Sequence, residues 1–209
     1  AQRGQVVADR TAVKLSHLQS RSVIPLPAHG LVLCRNPLGY LAVPSDDLST
    51  IGLYTDGALP RQGTLKFIEK HLRPGGTFVD VGANVGLFSL LAARVAGPSG
   101  KVIAIEPSPV TASALRATVR ANALESVVRI EQVAAGAERG LGTLSVMMSC
   151  RQSTLLAPPV TSEPQAASVV ATVVPLDELL SDVVPDVVKI SVEGWELKVL
   201  EGMQGLLAS

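Results

Sequence analysis

The segment Phe78-Val79-Asp80-Val81-Gly82-Ala83-Asn84-Val85-Gly86 restricts the fold of this chain more than any other stretch. Thr77–Val81 has the length and apolar content of a buried strand, and Val85–Ala96 has those of a helix. Gly82 and Gly86 lie where one passes into the other, so the backbone can turn tightly and approach a ligand without an intervening Cβ. Strand, glycine turn and helix form the first half of a βαβ unit, and the second half follows at once. Gly97-Pro98-Ser99-Gly100 is a turn, Lys101–Ile105 a second strand, Pro109–Asn122 a second helix and Val127–Val133 a third strand. Strands alternating with helices of roughly 10–15 residues predict an α/β fold with a parallel sheet.

The flanking sequence extends this pattern. Gly140–Met148 and Ser168–Val174 read as strands around a loop that holds Pro158-Pro159. Pro175–Leu180 reads as a short helix, Asp186–Val192 as a buried strand and Gly194–Leu207 as one amphipathic helix. Upstream, Leu31–Arg35 and Leu38–Val43 flank Asn36-Pro37 as a hairpin, and a short helix is expected near Val13–Leu18. Asp46–Tyr54 is a loop or short helix. Gly63–Leu72 has helical apolar spacing at Leu65, Ile68 and Leu72, and Arg73-Pro74-Gly75-Gly76 stops it. The expected organisation is an N-terminal arm with a small β-hairpin region over residues 1–60, and a ligand-binding α/β domain over 61–209.

Composition narrows the function classes. The chain has 209 residues, 47% hydrophobic and 17% charged, which suits one folded core. Eighteen Lys and Arg balance eighteen Asp and Glu, so a basic nucleic-acid binder and a polybasic membrane-surface protein are disfavoured. The charge-free stretch Pro164–Leu176 is shorter than the ~20 residues a spanning helix needs. With no apolar signal core at the start, a soluble cytoplasmic protein is expected, and the absence of an initiator Met points to a fragment. Cys34 and Cys150 fit neither a disulfide framework nor a metal motif, and no His/Cys cluster has zinc spacing, so no metal site is expected.

Two ligand classes compete for the glycine turn. A dinucleotide calls for G-x-G-x-x-G, so that its pyrophosphate rests on the helix N-terminus. Asn84 and Leu87 occupy the second and third glycine positions and disfavour it. A D-x-G-x-x-x-G turn suits a zwitterion without phosphates: Asp80, at the strand's carboxyl end, can attract a cationic group, at least through water, while turn N–H groups receive a carboxylate. S-adenosyl-L-methionine is such a ligand. Glu106 ends the second strand at close to the ~20-residue spacing expected for an acid that receives ribose hydroxyls. A glycine turn that only packs helix on sheet, and a solvated acid at a strand end, would leave the same pattern.

With both features in view, the chain resembles the FkbM-type family of class I S-adenosylmethionine-dependent methyltransferases. The resemblance rests on Arg73 to Gly86 and on Gly97 to Pro107. It closes on Val188-Lys189-Ile190-Ser191-Val192-Glu193-Gly194-Trp195-Glu196 and on Val199-Leu200-Glu201-Gly202. It implies a Rossmann-like sheet, S-adenosyl-L-methionine as cofactor, and most often O-methylation of a small molecule or sugar hydroxyl, with no nucleic acid or membrane partner. Asp80, Gly82, Ala83, Asn84 and Gly86 would line the methionine end of the cofactor. Glu106 would hold the ribose, with Pro107 and Ser108 shaping that wall and Ala134 near the adenine. Glu193 would be the candidate base, with Ser191 beside it where the family carries an Asp. Against the family pattern, the sheet would be truncated after its fourth core strand and that strand's helix.

Other residues carry weaker expectations. Glu196 suits the first turn of a helix, where an acid is favoured. Trp195 reads as core filling or as a platform for an acceptor ring. Asp56-Gly57 reads as a turn or an acceptor-side loop, and His17, His29 and His71 as structural or surface residues. Two rival functions remain open: a cofactor-binding scaffold without turnover, and an NAD-dependent oxidoreductase.

Overall fold

A computed structural model describes residues 23–55, 59, 61–147, 153–155 and 165–208. The expected helix near Val13–Leu18, Asp56-Gly57 and the Pro158-Pro159 loop lie outside the described residues. The central element is a four-stranded, all-parallel sheet of β4 (Thr77–Val81), β5 (Lys101–Ile105), β6 (Val128–Glu131) and β11 (Val187–Ile190), in the order β11-β4-β5-β6. Chain order β4-β5-β6 runs outward on one side, and β11 is added on the other. The topology therefore reverses between β4 and β11, where open α/β sheets form a crevice at the strands' carboxyl ends.

Period-two alternation explains why both faces are buried. Phe78, Val102 and Ala104 face a cluster built from helices α2 (Gln62–His71), α3 (Leu87–Ala96) and α4 (Pro109–Ala121). Val79, Val81, Ile103 and Ile105 face the opposite cluster, with Leu176, Leu180, Val199 and Met203. Phe78 is fully buried, worth ~1.5–3 kcal/mol relative to an exposed ring.

Two further sheets flank this core, one antiparallel and one mixed. The first is a meander of β1 (Val23–Leu26), β2 (Leu31–Asn36) and β3 (Gly39–Pro44), where the sequence pattern predicted the hairpin but not β1. It is followed by α1 (Leu48–Thr55). The meander docks on α4: Thr118 Oγ1 accepts from Ala42 N at 2.9 Å and donates to Val85 O at 2.8 Å. Asn122 donates to Tyr40 O at 2.7 Å and accepts from Tyr40 N at 3.1 Å. The second sheet, in the order β7-β10-β8-β9, is formed by β7 (Ala134–Ala135), β8 (Gly140–Met147), β9 (Ser153–Thr154) and β10 (Gln165–Val174).

The C-terminal segment corrects one expectation. Gly194–Leu207 is two short helices, α6 (Glu196–Glu201) and α7 (Gln204–Ala208), rather than one. Tertiary hydrogen bonds break it. Gly202 O accepts from Asp177 N at 3.0 Å, and the Asp177 carboxylate receives the N–H groups of Gly205 at 2.8 Å and Leu206 at 2.9 Å. A Cβ at Gly202 would stand 2.0 Å from Gly136 O, so this close approach admits only glycine. Asp177 thus caps the second helix from α5 (Leu176–Leu179), an arrangement the apolar spacing of the segment cannot reveal.

Candidate functional site

A cavity opens at the carboxyl ends of β4, β5 and β11. Gly82 and Asn84 form one wall, Glu106 and Pro107 the next, and Ala134 and Ala135 an apolar side. Leu144 of the flanking sheet and Leu155, just past β9, contribute, and Ser191, Glu193 and Trp195 close the β11 side. Asp80, Ala83, Gly86 and Ser108 support this cavity from behind and are not among the residues that line it.

Glu106 is buried, and its hydrogen-bond partners among the described residues are neutral donors. Its Oε1 accepts from Ser108 N at 3.0 Å and Thr111 Oγ1 at 2.8 Å, and its Oε2 accepts from Asn84 N at 2.9 Å. Burial raises its pKa above the ordinary carboxylate value, and the bonds from Ser108, Thr111 and Asn84 oppose that rise. Three of the carboxylate's roughly four acceptor positions are taken, which leaves one on Oε2.

Asp80 is fully buried in a different setting. Its Oδ1 accepts from Lys189 Nζ at 2.9 Å and its Oδ2 from Ser89 Oγ at 2.7 Å. Lys189 Nζ also donates to Gly82 O at 2.8 Å and lies 5.1 Å from the centroid of the Phe88 ring. The carboxylate expected to meet the ligand's positive charge therefore faces a cation of its own chain.

The glycine turn is held on several sides. Gly82 N and Ala83 N both donate to Ile105 O at 3.0 Å, and Gly86 N donates to Ala83 O. Gly82 has φ +74°, and a Cβ there would stand 2.1 Å from Ser191 O; Gly86 has φ +97°, and its Cβ would stand 2.6 Å from Leu115 Cδ1. These two glycines thus admit strand β11 and helix α4 to the turn, as well as leaving room for a ligand. Asn84 adopts φ 52°, in the left-handed region that Asn tolerates better than most side chains, and so aims its N–H at Glu106.

On the β11 side, Ser191 N donates to Val81 O at 3.1 Å, and Arg61 Nη1 comes within 3.5 Å of Ser191 Oγ. Glu193 has φ 50°, is exposed, and lines the cavity. Glu196 turns back instead: its Oε1 accepts from Val192 N at 3.0 Å. Backbone N–H groups, that of Val192 first, hold its carboxyl below the usual range. Trp195 Nε1 is buried without a hydrogen-bond partner.

The structure brings Gly82, Asn84, Glu106, Pro107, Ala134, Ser191 and Glu193 to one cavity. Sequence reasoning missed Lys189, Ala135, Leu144, Leu155 and Arg61 as participants. Lys189 had a readable signal, since it is the one charge in the apolar run Val187-Val188-Lys189-Ile190. The others come from segments that only the tertiary fold brings to the cavity.

A nucleoside fits these walls. Ala134, Ala135 and Leu144 offer an apolar face for a base, Glu106 Oε2 keeps an acceptor position for a ribose hydroxyl, and the orphaned Trp195 N–H calls for an acceptor.

The chain is similar in sequence to known methyltransferases. The family model of the methyltransferase FkbM domain matches residues 80–209. Over 91 residues the chain is 40% identical to the 31-O-demethyl-FK506 methyltransferase FkbM of Streptomyces tacrolimicus, covering 43% of this chain and 31% of that protein. Over 68 residues it is 32% identical to a ribosomal protein L11 methyltransferase of Pelotomaculum thermopropionicum, covering 32% of this chain and 21% of that one. The chain thus spans about a third or less of the length of these curated relatives. Among solved structures, a SAM-dependent O-methyltransferase of Thermotoga maritima overlaps 48% of this chain and 39% of its own, at 24% identity and a TM-score of 0.33. With more than half its length matched by the family model, and the matched residues built around the glycine turn, Glu106 and the β11 corner, the chain belongs to the FkbM family of methyltransferase domains, whose cofactor is S-adenosyl-L-methionine.

Proposed function

We propose that this protein transfers a methyl group to a hydroxyl of a small molecule or sugar. The observation that carries the reading is Glu106: a buried carboxylate with one acceptor position left, beside an apolar wall, at the end of the strand next to the glycine turn. S-adenosyl-L-methionine, when bound, supplies a methyl group already activated by its sulfonium. What remains for the protein is to bind, orient and manage one proton.

Glu106 receives the ribose, with Pro107 and Ser108 holding that wall. Ala134, Ala135 and Leu144 cover the base. Gly82, Ala83, Asn84 and Gly86 shape the turn that meets the amino-acid end, and Asp80 supports it from below. Orientation of two reactants in such a cleft can lower a barrier by ~7–11 kcal/mol. Glu193 takes the hydroxyl proton: its carboxylate is exposed on the cavity rim, and its left-handed backbone turns the chain there. Ser191, beside it, orients the acceptor hydroxyl by hydrogen bonding. Residues 61–209 form the cofactor-binding unit, and the meander before them covers α4.

Calorimetry with S-adenosylhomocysteine, followed by turnover across a panel of hydroxylated acceptors, tests this reading. Binding with turnover, and a loss of roughly 10²–10⁴-fold in kcat with little change in cofactor affinity for Glu193→Gln, is the expected result. Failure of the nucleoside to bind would sink it. A second reading, cofactor binding without turnover, is favoured by Ser191, a neutral hydroxyl at the carboxyl end of β11 where the family pattern has an acid. Tight binding with no product from any acceptor would favour that one.

A further inference from the structure

Lys189 lies behind the cavity wall, paired with the buried Asp80, and its geometry is more specific than a strand lysine needs. In β11 it lies in register opposite Asp80 of β4, so both side chains leave the sheet on the same face. That face is covered by α3, which supplies Ser89 to the other Asp80 oxygen and the Phe88 ring to the ammonium. The Lys189 side chain is 11% exposed and Asp80 is fully buried. One ammonium thus joins three elements: the edge strand β11, the neighbouring strand β4, and the glycine turn through Gly82 O at 2.8 Å.

Two consequences follow from charge and from geometry. The pair is neutral as a unit, and both Asp80 oxygens already accept a short bond, at 2.9 and 2.7 Å. Asp80 therefore has little electrostatic pull left for a ligand ammonium. Meanwhile the peptide unit after Gly82 is held at both ends, its carbonyl by the bond from Lys189 at 2.8 Å and its Ala83 N–H by Ile105 O at 3.0 Å. Gly82 O and the Ala83 N–H share one planar peptide unit, so the Lys189 bond helps to fix the Ala83 N–H, one residue before Asn84.

We propose that Lys189 is a positioning residue, which clamps the glycine turn into its ligand-receiving shape through Gly82 O and withdraws Asp80 from direct recognition of the ligand's amino-acid end. The ligand in this inference rests on the methyltransferase reading above; the clamp itself does not.

Binding of S-adenosylhomocysteine is compared with that of 5′-methylthioadenosine, which has the nucleoside but no amino-acid end. The proteins are wild type, Lys189→Met, Lys189→Arg and the double variant Asp80→Asn/Lys189→Met. The double variant guards against unfolding, since removing both members of a buried pair is tolerated far better than removing one. Amide hydrogen exchange at Gly82, Ala83 and Asn84 is followed in the same proteins. The clamp predicts that Lys189→Met and the double variant weaken S-adenosylhomocysteine by ~10-fold or more, about 1.4 kcal/mol, while methylthioadenosine stays within about twofold of wild type on the same scale. Exchange at the three turn amides rises in both, and Lys189→Arg recovers part of each effect.

Tighter S-adenosylhomocysteine binding by Lys189→Met would show that freeing Asp80 creates an ammonium site, and would overturn the withdrawal of Asp80. Unchanged turn exchange in the double variant would overturn the clamp, whatever the wild type binds. A wild type that binds neither nucleoside overturns the methyltransferase reading, and the exchange data then decide the clamp alone.

Discussion

Strands β4 and β5 lie side by side, and each brings a carboxylate to the carboxyl-end edge of the sheet, Asp80 and Glu106. Both are buried, and the chain handles them in opposite ways. Asp80 is compensated by a charge, Lys189, with one hydroxyl in support. Glu106 is hydrogen-bonded by neutral donors, two backbone N–H groups and the Thr111 hydroxyl, with Lys189 acting on it only through space. A paired carboxylate is electrically closed and suits a structural post. A carboxylate held by neutral dipoles has no cation bonded to it, and suits a site that must accept hydrogen bonds from a ligand. Both are carboxylates near the carboxyl end of a strand, Asp80 level with Ala104 and Glu106 just past the end of β5, and their surroundings differ in kind.

Breaking the charged side should have the largest effect. Asp80→Asn leaves the Lys189 ammonium largely buried without its counter-charge, and urea unfolding should show a loss of about 3–5 kcal/mol. A loss under ~1 kcal/mol would mean that water, not Asp80, stabilises Lys189. Next comes the turn that joins the two strands. Gly82→Ala places a Cβ 2.1 Å from the Ser191 carbonyl oxygen at a positive φ, and a loss of ~3 kcal/mol or more is expected from strain and overpacking together. Gly97→Ala is the matched control: its φ is +70°, but nothing lies within 4 Å of the added Cβ. With ψ −171° it lies in a region nearly confined to glycine, so backbone strain alone should cost ~1–3 kcal/mol. Equal losses at the two sites would show that backbone conformation alone, and not the approach of β11, requires Gly82.

The neutral side should respond more mildly. Glu106→Gln turns an amide NH2 toward at least one of the three donors, so one buried N–H or O–H loses its acceptor, at ~1–3 kcal/mol. The same variant sharpens the comparison through pH. Burial raises the Glu106 pKa above its ordinary value of 4.5. The unfolded chain therefore releases this proton before the native one, and native stability falls as pH rises from about 4.5 through the raised value. Unfolding free energies across that window should show this downward slope in wild type and lose it in Glu106→Gln. An identical slope in both proteins would place the titration elsewhere.

Much of the central sheet was readable because its signals are local. Thr77–Val81 and Lys101–Ile105 coincide with observed strands, since a five-residue apolar run bounded by glycine and proline leaves a strand few alternatives. Glu106 was findable for the same reason, as the acid that ends such a run. The partner of Asp80 was not, because Lys189 lies 109 residues away and only the register of β11 on β4 makes them neighbours. The break between α6 and α7 was hidden likewise, since the apolar spacing continues across Gly202 while the carbonyl there bonds to Asp177 of another element.

Local chemistry along this chain was enough to set the alternation of strand and helix, the place of the tight turn and the kind of residue at each strand end, because propensity, periodicity and glycine's freedom act over a few neighbouring residues. Which carboxylate would be paired with a cation and which held by neutral donors was decided by packing alone. Charge compensation and desolvation depend on distances through space, and those exist only once β11, α3 and the flanking sheet have closed around the cavity.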